Sequence, residues 1–205
     1  MTITDYVVLF VVILISMSLH EMMHGFVAHK LGDTTAQEAG RLTLNPLKHI
    51  DLITTVLLPM LLIALGLPPF FAAKPIPFNP YKVRWGEYGA ALVGIAGPFT
   101  NLLLAVAAAV GVRLSGIATG TDIYTFLSVF VQVNIAFFVF NMIPFPPLDG
   151  SRLLYALAPE PVQKFMAQIE SMGFTAIIIL MFVFFPLLRP IVVFANTWLF
   201  HLLLG

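Results

Sequence analysis

His20-Glu21-Met22-Met23-His24 closes a run, residues 6–19, that holds no charged side chain. On a helix, histidines four residues apart share one face, so both imidazoles can reach a single metal ion. Glu21 stands beside them, placed to act as general base on a water activated at that ion. A catalytic zinc site takes three protein ligands and keeps a fourth position open. The chain contains no cysteine, so the third ligand must be a histidine or a carboxylate. Asp149 stands out, in Asn141-Met142-Ile143-Pro144-Phe145-Pro146-Pro147-Leu148-Asp149-Gly150. The prolines unwind the helix end and let Asp149 turn inward. The same Asp-Gly-Ser-Arg stretch also suits the N-cap of a following helix, and both readings stay open. Asn101 and Asn141 lie inside apolar stretches, where an amide needs partners. Either makes an interhelical hydrogen bond, or Asn141 orients the metal cluster or a reacting carbonyl. His29 at the first helix end, His49 in a loop beside Asp51, and His201 near the C-terminus are expected to stay off the metal.

The setting of these residues is apolar. Of 205 residues 60% are hydrophobic and 10% charged, with a mean hydropathy of +0.98. A soluble domain carries about a quarter charged residues, so this composition predicts an integral membrane protein. Zero formal net charge suggests no nucleic-acid partner. The first hydrophobic helix is expected over about 4–31. No basic segment precedes it and it carries the metal motif, so it is expected to be retained rather than cleaved as a signal peptide. Residues 32–50 are polar, with 41–44 alternating like a short strand. The apolar stretch 52–73 is broken by Pro59, Gly66, Pro68 and Pro69. Lys74-Pro75-Ile76-Pro77-Phe78-Asn79-Pro80 reads as extended, because alternate prolines forbid a helix. Spans are expected over 87–112, where small residues admit close neighbours, and over 123–143. Residues 151–171 read as an amphipathic helix at the interface. Residues 172–204 are one long span or two short ones, divided at Pro186 to Pro190.

Charge bias suggests a topology. Lys30, Arg41 and Lys48 follow the first span, and Lys74, Lys82 and Arg84 follow the broken stretch. If both basic loops are cytoplasmic, 52–73 enters and returns as a re-entrant hairpin; otherwise it is an ordinary span. The re-entrant alternative puts the N-terminus outside and brings the histidine pair and Asp149 to the cytoplasmic side.

The sequence resembles the site-2 protease family of intramembrane metalloproteases, in its compact prokaryotic form. The residues that carry the resemblance are His20-Glu21-Met22-Met23-His24, Gly97-Pro98-Phe99-Thr100-Asn101, and Asn141 through Asp149-Gly150. The loop pieces Gly40-Arg41-Leu42-Thr43-Leu44-Asn45-Pro46, His49-Ile50-Asp51 and Ala73 to Pro80 match as well. The resemblance implies one Zn2+ per chain, held by His20, His24 and Asp149, with Glu21 catalytic. It also implies that 41–44 and 76–78 form a small β-structure near the site, where a substrate strand is held. No PDZ-like or CBS-like attachment of the larger relatives is expected. The fold expected is an all-α integral membrane protein with about four to six transmembrane helices. A small β-hairpin or re-entrant element separates the first two full spans. One polytopic domain covers 1–205, with a catalytic core at about 4–155 and accessory C-terminal helices at 156–205. The implied function is an intramembrane zinc metalloendopeptidase, multi-pass in the cell membrane, acting on a membrane protein with a transmembrane segment. The rival is a non-proteolytic membrane metal-binding protein or a metal-ion transporter. A transporter spreads its ligands along a route, whereas these cluster at one level.

Overall fold

A computed structural model describes residues 2–64 and 73–205. Helix α1 (Ile3–Lys30) starts at a capping box: Thr2 Oγ1 accepts from the Asp5 N–H, and Asp5 Oδ2 accepts from the Thr2 N–H at 2.6 Å. These bonds satisfy amides that an α-helix leaves unpaired at its start. Short α2 (Thr35–Glu38) follows. A π-helical turn, Leu52–Leu57, leads into α3 (Leu58–Ala64). The second long helix is α4 (Glu87–Ser115) and the third is α5 (Asp122–Asn141). Then come α6 (Gly150–Leu157) and α7 (Glu160–Ser171). The chain ends in α8 (Phe174–Ile179), which passes through a π-helical stretch, Leu180–Phe184, into α9 (Phe185–Leu204). Among the described residues, four helices are long and apolar enough to cross a membrane: Ile3–Lys30, Glu87–Ser115, Asp122–Asn141 and Phe174–Leu204. The last is continuous, so 172–204 holds one helix rather than two.

Helix α4 sits at the centre, packed against α1, α5, α6 and α9. Its buried side is a stripe of small residues: Ala90, Gly94, Gly97, Asn101, Ala105 and Ala109. Steps of three and four residues keep them on one face. Without bulky side chains there, neighbouring backbones approach closely. Farther along, Ala105 and Ala109 meet Val131 and Ile135 of α5, with Leu199 and Leu203 of α9 against them. The opposite faces leave Leu103, Leu114, Phe182, Phe194 and Leu202 exposed, as a lipid-facing surface requires.

Two expectations change. The first is the β-hairpin: among the described residues there is no strand. Segment 73–79 is extended, as its prolines dictate, but Pro75 and Pro77 carry no N–H to build a ladder. Three of the donors that remain are used individually. Lys74 N–H goes to His49 O (2.9 Å), Ile76 N–H to Glu21 Oε2 (3.0 Å), and Asn79 N–H to Asp33 Oδ2 (2.7 Å). Arg41 Nη2 adds a bond to Lys74 O (2.7 Å). In the 41–44 stretch, the Arg41 N–H turns back to Ala36 O, and Thr43 O accepts from His49 Nε2. Second, 151–171 is two helices, broken at Ala158-Pro159 because a residue before proline avoids the helical region. An Arg152–Glu170 ion pair ties the two together. The expected four to six spans number four among the described residues. Gly66, Pro68 and Pro69 of the broken stretch lie outside the described residues. The bond between Lys74 and His49 nonetheless brings the two ends of 50–73 to one place.

Asp33 is the clip at the far end of that extended segment. It is buried and also accepts from the Thr35 N–H (3.0 Å) and hydroxyl (2.5 Å). Burial opposes its charge, but the Asn79 and Thr35 donors outweigh that and hold its carboxyl below the ordinary value of 3.8. A lowered folded pKa gives stability that is complete above the unfolded value and lost as pH falls through the folded one. The clip is therefore constant between pH 5 and pH 8 and opens only in stronger acid. Asp33→Asn leaves one buried N–H without its acceptor, a cost of about 1–3 kcal/mol. Thermal unfolding in detergent should show a lower midpoint with zinc content unchanged, and an equal midpoint would refute the clip.

Candidate metal centre

Ser16, His20 and His24 lie one turn apart on α1 and face α4. Each imidazole is held from behind. His20 Nδ1 is 2.5 Å from Asn101 Oδ1, and His24 Nδ1 is 2.7 Å from the backbone oxygen of Val93. An oxygen acceptor at Nδ1 requires the proton to sit there, which leaves the Nε2 lone pairs free. Those lone pairs converge. The two Nε2 atoms are 3.0 Å apart, and Asp149 Oδ2 lies 3.0 Å from that of His20 and 3.4 Å from that of His24. All three ligand atoms fall within 4.8 Å of one another. A proton can bridge only one pair of them, whereas a metal cation satisfies all three. Two imidazoles and a carboxylate are the donor set of a catalytic zinc site.

Glycines make room for this convergence. A Cβ at Gly97 would lie 2.4 Å from His24 Nε2 and 2.6 Å from His20 Nε2. At Gly94 it would meet Arg152 Cβ at 2.8 Å and Asp149 O at 3.0 Å. At Gly150 it would meet Met142 O at 2.5 Å. The Nε2 edges of both rings therefore press close against α4 at Gly97, and the start of α6 folds back between α4 and the end of α5. This brings Asp149 to the histidines across 129 residues of sequence. Asp149 precedes α6 in helical conformation (φ −59°, ψ −37°) and makes no side-chain cap bond, so its carboxyl is directed to the imidazoles alone.

Glu21 sits beside the pair, with Oε2 accepting from the Ile76 amide. Asn101 is fully buried and touches His20. Asn141 instead donates to Phe137 O on its own helix at 3.0 Å. His49 is buried, its Nε2 donating to Thr43 O (2.8 Å). Among the described residues, His20, His24 and Asp149 form the one group of three able to hold a metal.

Three contributors have no part in the sequence reading: the Ile76 amide and the side chains of Ser16 and Asn134. Both side chains are fully buried. Ser16 was open to detection, because it extends the histidine stripe by one turn. Asn134 carries the same signal that singles out Asn101 and Asn141, a lone amide inside an apolar run.

The sequence model of peptidase family M50 matches residues 114–185, a stretch that contains Asp149. YwhC of Bacillus subtilis, provisionally named a zinc metalloprotease, is 40% identical over 84% of this chain and 78% of its own length. Rip2 of Mycolicibacterium smegmatis, named in the same way, is 33% identical over 97% of this chain and 73% of its own. Rip2 of Mycobacterium tuberculosis is 29% identical over 92% and 71%. No solved structure matches the chain. With the histidine pair, the carboxylate and these relatives together, the chain belongs to peptidase family M50 and is a zinc metalloprotease.

Proposed function

We propose that the chain is an intramembrane endopeptidase that hydrolyses peptide bonds in or near transmembrane segments of other membrane proteins. The observation that carries this reading is the convergence of three electron-pair donors inside a bundle of membrane-length helices. His20 lies roughly 26 Å along α1, against a hydrocarbon core of about 30 Å. A site at that depth meets bonds near the end of a span.

His20, His24 and Asp149 are the residues that would hold the zinc. Zinc there supplies a Lewis acid that polarises a carbonyl and makes water a better nucleophile. Glu21 accepts the proton of the attacking water and returns it to the leaving amine. A helical substrate hides its carbonyls in hydrogen bonds, so it must unwind locally before it reaches Glu21. The enzyme works in the cell membrane with this end of the bundle in the cytoplasm. Of ten Lys and Arg, eight fall in 30–84 and 152–164, the segments that flank the site, as the positive-inside bias favours.

The test is purified enzyme in liposomes with a single-span substrate. Cleavage should fall within or next to the apolar segment, stop on chelation, and return with added zinc. Equal cleavage of a soluble unfolded protein, or zinc flux across the vesicle without any cut, would refute the proposal.

A further inference from the structure

Asn134 makes no contact with a metal ligand, yet it is fully buried in the middle of α5 between groups of fixed hydrogen-bonding character. Its Nδ2 donates to Phe130 O at 2.8 Å and to Ser16 Oγ at 2.9 Å. Its Oδ1 accepts from Asn101 Nδ2 at 2.8 Å. Asn101 Nδ2 also reaches Ser16 O at 3.3 Å, and Asn101 Oδ1 faces His20 Nδ1 at 2.5 Å.

The two ends of a carboxamide have nearly the same shape. Asn101 could therefore offer His20 either its oxygen or its amino group, with opposite consequences. An oxygen places the imidazole proton on Nδ1 and leaves Nε2 free to bind a metal. An amino group makes Nδ1 the acceptor, moves the proton to Nε2, and blocks the ligand. The choice is made by atoms that can only accept. Phe130 O is a backbone carbonyl, so the amino end of Asn134 must face it, and its oxygen must then face Asn101. Ser16 O is also a backbone carbonyl and demands the amino end of Asn101 from a second side. The polarity of both amides follows, and with it the tautomer of His20.

We propose that Asn134 is a positioning residue of the metal centre: through Asn101 it selects the His20 tautomer that leaves Nε2 open. This rests on His20 being a zinc ligand, which His20→Ala tests separately by loss of zinc from the otherwise unchanged chain. A purely structural amide, joining α5 to α1, would alter stability but not how tightly the metal is held.

The experiment uses zinc-stripped full-length protein in detergent. Zinc affinity is measured by competition with a chromogenic chelator, and the visible spectrum of the cobalt-substituted site reports ligand geometry. Asn134→Leu should weaken zinc by about tenfold, the lower end of what partners of a ligating histidine are worth, and shift the cobalt bands. Asn134→Ala, less demanding sterically, should do the same, so the test does not hang on one variant folding. The decisive comparison is made in an Asn101→Asp background. A carboxylate has an oxygen at both ends and accepts from His20 whichever way it turns, so Asn134 has nothing left to select. There, removing Asn134 should change zinc affinity by less than about twofold. A tenfold loss in both backgrounds, or a loss in neither, would overturn the proposal.

Discussion

Glu21→Gln protein should hold one zinc per chain and cleave its substrate about 10²–10⁴ times more slowly than the parent, the usual worth of a general base. The loss corresponds to a barrier higher by roughly 3–5 kcal/mol. The substitution is chosen for what it leaves alone. Gln has the size of Glu, and its amide oxygen can still accept from the Ile76 N–H, so the extended segment keeps its tie across the site. The three converging ligand atoms belong to other residues, and the two imidazoles keep their Nδ1 partners, Asn101 and Val93 O. What disappears is a group that can carry a proton from water to the leaving nitrogen. Glu21→Ala is the informative contrast, because it removes the base and also frees the Ile76 amide. It should therefore be no more active than Glu21→Gln and should expose the 74–79 segment to proteolysis. Both are measured by single-turnover cleavage in liposomes beside zinc content by atomic absorption. Activity of Glu21→Gln within tenfold of the parent would remove Glu21 from the base role, and loss of zinc would show that the carboxylate supports the metal instead.

The site was partly legible because its core is local and its setting is compositional. The histidine pair needs only the helical period, and the four spans need only apolar length. Their bounds differ from expectation by a few residues at most. Asp149 was legible because the prolines before it stop a helix and few carboxylates lie near apolar segments. The illegible parts depend on partners distant in sequence. Alternation at 41–44 and the prolines at 74–80 are compatible with a strand pair. Whether a ladder forms depends on where the remaining N–H donors point, and those of Lys74, Ile76 and Asn79 go to the backbone of His49, to Glu21 and to Asp33. The two amides noticed in the spans fared differently for the same reason. Asn101 meets His20, 81 residues away, whereas Asn141 folds back onto Phe137. Asn134, which reads no differently along the chain, joins Ser16 at a separation of 118. An apolar helix announces that a buried amide needs a partner, but only the packing says which one.

Gly97→Ala, a single added methyl, should abolish most zinc binding and activity together. The new carbon would stand 2.4 Å from His24 Nε2, 2.6 Å from His20 Nε2 and 2.7 Å from His20 Cδ2, distances that atoms in contact do not reach. Neither ring can move off α4 cheaply, since that would stretch its Nδ1 bond to Asn101 in one case and to the Val93 carbonyl in the other. The remaining escape is to part α1 from α4, which are packed through the small-residue stripe. Overpacking of this kind costs about 1–3 kcal/mol, and here it falls on the ligand atoms, so zinc affinity should drop by roughly 10- to 100-fold. Gly111→Ala is the control on the same helix, where the added carbon meets nothing within 4 Å. That change should keep full activity and stabilise the helix by at most about 1 kcal/mol. The pair separates a helix-wide effect of losing glycine from a clash confined to the metal centre. If Gly97→Ala binds zinc as tightly as Gly111→Ala, the rings do not lie against the α4 backbone, and the close packing on which the site's geometry depends is wrong.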